Sequence, residues 1–424
     1  MNSKYKSYKW IVWGVLILIY LIVFFQRLSV GAIAGDLKST FGMNATQIAN
    51  LGAMYFYAYT LMQIPAGIFA DKLGPRITVV SGSLLAGVAS IMFSFSTSIG
   101  MAYVSRLLVG VGVSVVFLSI LKIISIWFPA GDFATMSGLT SFMGNMGGLF
   151  SQAPLVIVVG LIGWRGSFLA MGVVTLALAL SAFMLVKDSP SAMGLPEVNP
   201  KPEKAEKGNS EENRNIFVQL YHVVRNPQIW CPAIAFGGLN GSFILFSGTF
   251  GITYLGFAYG MDKIAASGII SVAIISAAVA NAFMGRLTDT LKLRKMPTIA
   301  LALVSLAAWS SLVFANLSGW LVYLFAILMG VSTAVGAMCW SVGKEVSNPE
   351  YSGIALSIVN VTGCLFGALM PVICGRIIDM SIAGGAVPLA AYQNGFLACV
   401  AGSLLGLLFA MLMKETRCEN VFRE

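Results

Sequence analysis

Charge is what this sequence has least of. Only 10% of its 424 residues are Asp, Glu, Lys or Arg, while 58% are hydrophobic and the mean hydropathy is +0.85. A soluble domain carries about a quarter charged residues, so lipid rather than water is the solvent for most of this chain. Histidine is nearly missing: His222 stands alone, which excludes a histidine relay or a histidine-based metal cluster. The six cysteines (Cys231, Cys339, Cys364, Cys374, Cys399 and Cys418) form no CxxC pair and mostly lie inside apolar runs. They read as small core hydrophobes, neither disulfides nor metal ligands. No Walker-type loop is present, so ATP is not the expected energy source. Neither a cofactor nor covalent catalysis is expected, and the chain does not read as an enzyme. The net charge of +9 would suit nucleic acid, but no basic run with interleaved aromatics provides such a face.

Long apolar runs are what remains. A helix needs about 20 apolar residues to cross the hydrocarbon. Twelve such runs occur, near 10–33, 46–70, 77–98, 101–127, 134–160, 165–187, 229–258, 263–285, 297–315, 319–343, 352–376 and 391–413. The basic N-terminus (Lys4, Lys6, Lys9) leads into a run too long for a signal-peptide core, with no small-residue cleavage site after it. That run is expected to stay as the first span. Between the sixth and seventh runs the composition changes: Pro200–Asn215 is charged, Pro-bearing and poor in apolar residues. This predicts a flexible linker, with Asn215–Arg225 as a short surface helix. The expected organisation is a six-helix bundle over 1–187, a cytoplasmic linker over 188–228, and a second six-helix bundle with a short tail over 229–424.

Basic residues set the orientation. With both termini inside, the cytoplasmic segments hold 18 of the 26 Lys and Arg. The outer segments hold only Lys38, Arg165, Lys263 and Arg376. The positive-inside rule therefore predicts a multi-pass protein of the cytoplasmic membrane with both termini cytoplasmic. The halves also echo each other. Gly67-Ile-Phe-Ala-Asp71-Lys72-Leu-Gly74-Pro75-Arg76 follows the second run, and Gly285-Arg286-Leu-Thr-Asp289 follows the eighth, with Lys292, Arg294 and Lys295 close behind. Repeated six-helix halves are a transporter signature, with solute bound near the midplane.

Three motifs carry a resemblance. Gly67-x-x-x-Asp71-Lys72-x-Gly74-x-Arg76, Arg106-x-x-x-Gly110-x-Gly112 and Gly163-Trp164-Arg165 sit where they do in the major facilitator superfamily. Together with the six-plus-six layout, the likeness covers the whole chain. It implies an all-α polytopic membrane protein of twelve transmembrane helices in two six-helix pseudo-symmetric bundles. It also implies that Asp71, Lys72 and Arg76, with Arg106 and Asp289, gate the conformational change; Lys72 and Arg76 also read as anchors at the lipid headgroups. Gly67 reads as a point of close helix approach. The superfamily's drug antiporters have a tight glycine–proline pattern in the fifth span. Here Pro154 comes too late for it, which argues against drug efflux.

Ionisable residues inside spans are functional candidates by default. Arg27 is the foremost, about 16 residues into the first run and so in its outer half (roughly 24 Å of rise). The resemblance puts the first, fourth, seventh and tenth spans around the central cavity, and hence Arg27 near the solute. Its planar fork suits a carboxylate, with Gln26 beside it; a snorkelling or inter-helix structural arginine is the other reading. Lys122 is either a second anion contact or a snorkel to the inner interface. Tyr59 and Trp340 offer apolar walls with a polar handle. Glu345 is the proton-coupling candidate by position, with pairing at the helix end the alternative. The mid-span amides Asn145, Gln152, Asn240, Asn281 and Asn360 read mostly as inter-helix hydrogen-bond donors.

Few carboxylates lie in the spans, whereas Arg27 and Lys122 supply positive charge. The expected function is secondary active transport of a small organic anion, by proton symport or anion exchange. The expected partners are that anion, a coupling proton or counter-anion, and membrane lipid, with no nucleic acid and the chain acting as a monomer. An amino-acid or short-peptide carrier is the alternative within transport, and a non-transporting sensor the alternative outside it.

Overall fold

The computed structural model describes residues 3–129, 132–194, 216–315 and 317–422. Every regular element among them is helical. The expected linker over Pro200–Asn215 lies outside the described residues, while the short helix expected beyond it is present as Ile216–Arg225. The chain divides into two compact units. One comprises Met1–Met43, Asn50–Lys201 and Lys263–Ser267, the other Asn44–Ala49, Pro202–Asp262 and Gly268–Glu424.

Among the described residues, ten helical stretches are long and apolar enough to cross a membrane by themselves. The two further expected spans are present in interrupted form. The second is split at Met62 into Ala45–Leu61 and Gln63–Lys72. The fifth runs from Phe133 to Phe150 and resumes at Ala153, within a helix to Leu185 that bends at Gly163 (φ 72°, ψ 166°), where the sixth span begins. The third span is Pro75–Ser94. The eighth is Lys263–Leu291 and the ninth Lys295–Phe314. The eleventh is Ser352–Ala383 and the twelfth Pro388–Leu412.

The first span is longer than its apolar run. It continues past Ile33 as Val30–Phe41, because one helical face stays apolar and buried (Ile33, Ala34, Leu37) although Asp36 and Lys38 interrupt the run. Arg27 therefore lies nearer the middle of the first span than its outer end, with about 21 Å of helix rise beyond it.

Four further spans are interrupted among the described residues. The first breaks at Ser29, after Ser3–Leu28. The fourth breaks at Val115, between Ile99–Ser114 and Val116–Trp127. The seventh, Pro227–Tyr259, carries a π-helical turn at Phe246–Phe250. The tenth breaks between Leu321–Ser332 and Val335–Glu345. In lipid, a carbonyl freed by such a break must find another donor, so interruptions persist only where side chains supply one.

Internal repetition is visible in the backbone. Phe41-Gly42-Met43-Asn44 and Tyr259-Gly260-Met261-Asp262 end the first and seventh spans alike. Gly42 (φ 66°) and Gly260 (φ 61°) both take the left-handed conformation that closes a helix. Gly110 packs the fourth span onto the second so closely that an added Cβ would sit 2.5 Å from the Tyr55 carbonyl oxygen; Gly330 repeats this against Ala273 on the eighth. Apolar burial does not by itself drive helices together in lipid, so such close contacts carry the packing. Gly67 is not one of them: a Cβ there would meet nothing within 4 Å. The close approach expected of the loop glycine is made by Gly110 instead.

The second span starts under a carboxylate. Asp379 Oδ1 accepts from the Ala45 N–H (2.9 Å), and Oδ2 accepts from the Thr46 N–H (2.9 Å) and hydroxyl (2.6 Å). These donors have no carbonyl acceptor inside their own helix, and a negative charge at a helix N-terminus suits the macrodipole.

Candidate functional site

Arg27 is the penultimate residue of the helix Ser3–Leu28, two residues before the break at Ser29. Its guanidinium carbon stands 4.9 Å from the ring centre of Phe24, 5.6 Å from Phe56 and 5.4 Å from Tyr59. It also bonds the side chain of Tyr55. Tyr55 and Tyr59, one turn apart, stack at 6.0 Å with planes 9° apart. The Tyr55 hydroxyl donates to the Val23 carbonyl (3.2 Å). Both tyrosines are buried, whereas Arg27 remains partly exposed. Cation–π contacts of this kind hold a guanidinium in place against the rings.

Gln26, expected at the solute, points the other way. It is 1% exposed, and its Oε1 accepts from Arg106 Nη1 (2.9 Å) while its Nε2 donates to the Ser90 hydroxyl (2.6 Å). Its main-chain oxygen accepts from Arg106 Nη2 (2.6 Å) and the Ser29 hydroxyl (3.2 Å). That carbonyl lies at the break, so Arg106 supplies a donor that the interrupted helix does not. Arg106 is itself 1% exposed and lies 5.7 Å from the Tyr55 ring centre. Arg27 and Arg106 thus approach the same tyrosine.

Lys122 does not join this group. Its Nζ donates to the Ala70 carbonyl (2.8 Å) in the last turn of Gln63–Lys72, where a cation suits the helix C-terminus. It lies about 24 Å of helix rise beyond Arg106. Trp340 is 39% exposed and meets Phe236 edge-on at 5.4 Å. Among the amides, Asn240 bridges to the Gly363 carbonyl and Asn281 to the Thr333 hydroxyl, each at 3.3 Å. Asn145 turns back onto its own helix at Ser141.

Each unit has a carboxylate cap beside its own basic loop. In the first unit Asp188 Oδ1 accepts from the Arg76 N–H (2.8 Å) at the start of the third span. The Arg76 side chain donates to the Phe183 carbonyl and lies over the Phe183 ring. Lys72 is exposed, and the Asp71 side chain lies outside the described residues. In the second unit Glu415 repeats the cap at the start of the ninth span: Oε1 accepts from the Arg294 N–H (2.8 Å) and Oε2 from the Lys295 N–H (2.9 Å). Sequence reading missed both acids. The usable signal was the recurrence of Lys187-Asp188-Ser189 and Lys414-Glu415-Thr416 just after the sixth and twelfth spans.

Asp289 and Glu345 meet on one cation. Arg294, its side chain only 7% exposed, pairs with Asp289 (2.8 Å) and Glu345 (3.2 Å) and donates to the Thr288 hydroxyl (3.0 Å). Glu345 also accepts from the Thr416 hydroxyl. The carboxylate expected to carry protons is therefore bound into a helix-end network with Asp289, expected as a gate.

Comparison with known proteins agrees with this architecture. The family model of the Major Facilitator Superfamily matches residues 16–371. A probable sulfoacetate transporter, SauU, of Cupriavidus necator is 24% identical, over 96% of this chain and 93% of that protein. A probable L-galactonate transporter of Escherichia coli is 24% identical, over 84% of this chain and 80% of that one. Among solved structures, a bacterial homolog of the human lysosomal transporter Spinster, in an inward-facing unoccupied conformation, superposes with a TM-score of 0.79 at 17% identity, covering 97% of both chains. The match over most of the sequence, with the helical architecture described above, establishes that this chain belongs to the Major Facilitator Superfamily.

Proposed function

We propose that the chain moves a small organic anion across the cytoplasmic membrane by alternating access, with both termini on the cytoplasmic side and Arg27 as the contact for the anion's acidic group. The observation that carries this reading is the setting of Arg27: a partly exposed guanidinium at a helix break, seated on Phe24, Phe56 and Tyr59. A charged side chain is costly within a bilayer and persists where function requires it. Two relatives named for anions, sulfoacetate and L-galactonate, support the class. An amino acid or peptide fits less well, because its ammonium group would call for a carboxylate. Asp36 and Asp71, the acidic residues of the first two spans, lie about 13 Å of rise beyond Arg27 and about 18 Å beyond Tyr59.

Tyr59 walls the site in this reading, Gln26 and Arg106 stand behind it, and Lys122, Arg76, Asp289 and Glu345 serve the gating face. Reconstitution in proteoliposomes tests it. Arg27→Ala is expected to lower uptake of a transported organic anion at least a hundredfold, with Arg27→Lys restoring part of it. Normal uptake by a well-folded Arg27→Ala protein would remove Arg27 from the anion site.

A further inference from the structure

We propose that the second unit carries a site for the anionic phosphate headgroup of a membrane lipid. It lies in a cavity between the short helix Ile216–Arg225 and the segment joining the tenth and eleventh spans, and uses no residue of the Arg27 site. The cavity measures about 490 Å³, within the roughly 300–1,000 Å³ of small-ligand sites. His222, Val223 and Arg225 line one side, and Ser347, Asn348 and Tyr351 the other.

The lining offers positive charge and hydrogen-bond donors. Arg225 Nη1 donates to the Tyr221 hydroxyl (3.3 Å), and a guanidinium has further N–H groups to give. His222 stacks on Tyr351, with ring centres 6.5 Å apart and planes 20° apart. A histidine ring keeps at least one N–H in either protonation state, and a phenol donates its hydroxyl. No carboxylate lines the cavity among the described residues. Glu345, two residues before Ser347, is turned to Arg294 and Thr416.

The backbone favours an anion as well. Two long helices start beside the cavity, the seventh span at Pro227 and the eleventh at Ser352, where no side chain caps the helix. Such ends have N–H groups without an acceptor inside the helix and carry partial positive charge. The opposite charge, at the end of the tenth span, is already matched. The Val346 carbonyl accepts from Asn226 Nδ2 (2.8 Å), the Ser347 carbonyl from Asn420 Nδ2 (3.0 Å) and the Glu345 carbonyl from the Val421 N–H (2.7 Å).

Position points to a lipid rather than a soluble phosphate. Only Asn226 separates Ile216–Arg225 from the seventh span, so the cavity lies where that span leaves the hydrocarbon. Tyr221 and Val224 are exposed on this helix, and Trp230 donates to the Val224 carbonyl (2.9 Å). Tyr and Trp concentrate at that level, and basic pockets there hold anionic headgroups. Ile229 and Phe422 add apolar lining that suits the glycerol end of a lipid.

Lipid titration of the delipidated full-length protein tests this, with bound molecules counted by native mass spectrometry. Short-chain phosphatidylglycerol is compared with phosphatidylcholine of the same chains, which has the phosphate but no net charge. Glycerol phosphate supplies the group without chains. Phosphatidylglycerol is expected to bind about fivefold more tightly than phosphatidylcholine, or better, as for one basic side chain at an anionic headgroup. Arg225→Gln is expected to abolish that preference and His222→Gln to reduce it. Both positions are exposed, so each variant reads binding in a folded protein. Lys187→Gln, which removes one charge from the first unit, is expected to leave the preference unchanged.

Equal wild-type affinity for the two lipids overturns the proposal. So does a preference retained in both Arg225→Gln and His222→Gln, or lost equally in Lys187→Gln. Binding of glycerol phosphate that depends on Arg225, without any preference between the lipids, overturns the assignment to a headgroup and leaves a soluble phosphate as the ligand.

Discussion

Arg27 and Arg106 show how one residue type takes two roles around one tyrosine, Tyr55. Arg27 keeps part of its guanidinium exposed, held by three aromatic faces. Arg106 is fully enclosed and works on the backbone, donating to the Gln26 carbonyl at the break in the first span. Gln26 joins them, since its amide links Arg106 to Ser90. Gln26→Ala would leave Arg106 Nη1 and the Ser90 hydroxyl short of a buried partner, a loss of about 1–3 kcal/mol. The expected result is a lower unfolding temperature in detergent, with KM for the transported anion raised more than kcat is lowered. A KM at the wild-type value would mean that Gln26 supports the helix without positioning Arg27.

At the scale of the helix, the contrast between Gly110 and Gly67 is the informative one. Both stand in motifs shared with the superfamily, yet only Gly110 is at a close approach, 2.5 Å from the Tyr55 carbonyl oxygen for an added Cβ. Tyr55 is also the residue to which Arg27 and Arg106 turn, so this contact fixes the height of the second span against the fourth and with it the aromatic seat of Arg27. Gly110→Ala is expected to cost at least the 1–3 kcal/mol of an overpacked core and to weaken anion binding. Gly67→Ala, with open space around it and a helical backbone, is expected to be neutral or stabilising by up to about 1 kcal/mol. Thermal unfolding of the two variants side by side checks this, and equal loss in both would show that Gly67 is packed after all.

At the scale of the molecule, the acidic caps after the sixth and twelfth spans tie each unit together at the face with the basic loops. Burial of the Glu415 carboxyl acts to raise its pKa, but N–H bonds from Arg294, Lys295, Arg417 and Thr416 outweigh it and hold the acid below its ordinary value of 4.5. A depressed acid adds stability that is complete above its unfolded value and is lost as pH falls through its folded one. Wild-type protein should therefore lose stability below about pH 4.5. Glu415→Gln, less stable by about 1 kcal/mol at neutral pH as for loss of a helix cap, should change less there. Parallel pH profiles for the two proteins would remove Glu415 from the account. The sequence alone determined the all-helical membrane-spanning class and the family, because crossing lipid demands long apolar runs and the motif residues recur at fixed places along them. It also singled out Arg27, since a charge in an apolar run is conspicuous. It did not show that Gln26 bonds Arg106 and Ser90 or that Lys122 bonds the Ala70 carbonyl, nor did it reveal Asp188 and Glu415 as caps. Those roles depend on which helix faces which, and a side chain's partners are chosen by neighbours remote along the chain: Gln26 by Arg106 and Ser90, Lys122 by the end of the second span, Glu415 by the start of the ninth. Apolar periodicity reports that a helix is buried in lipid or protein, whereas only the packed tertiary structure decides where each polar group finds its hydrogen bond.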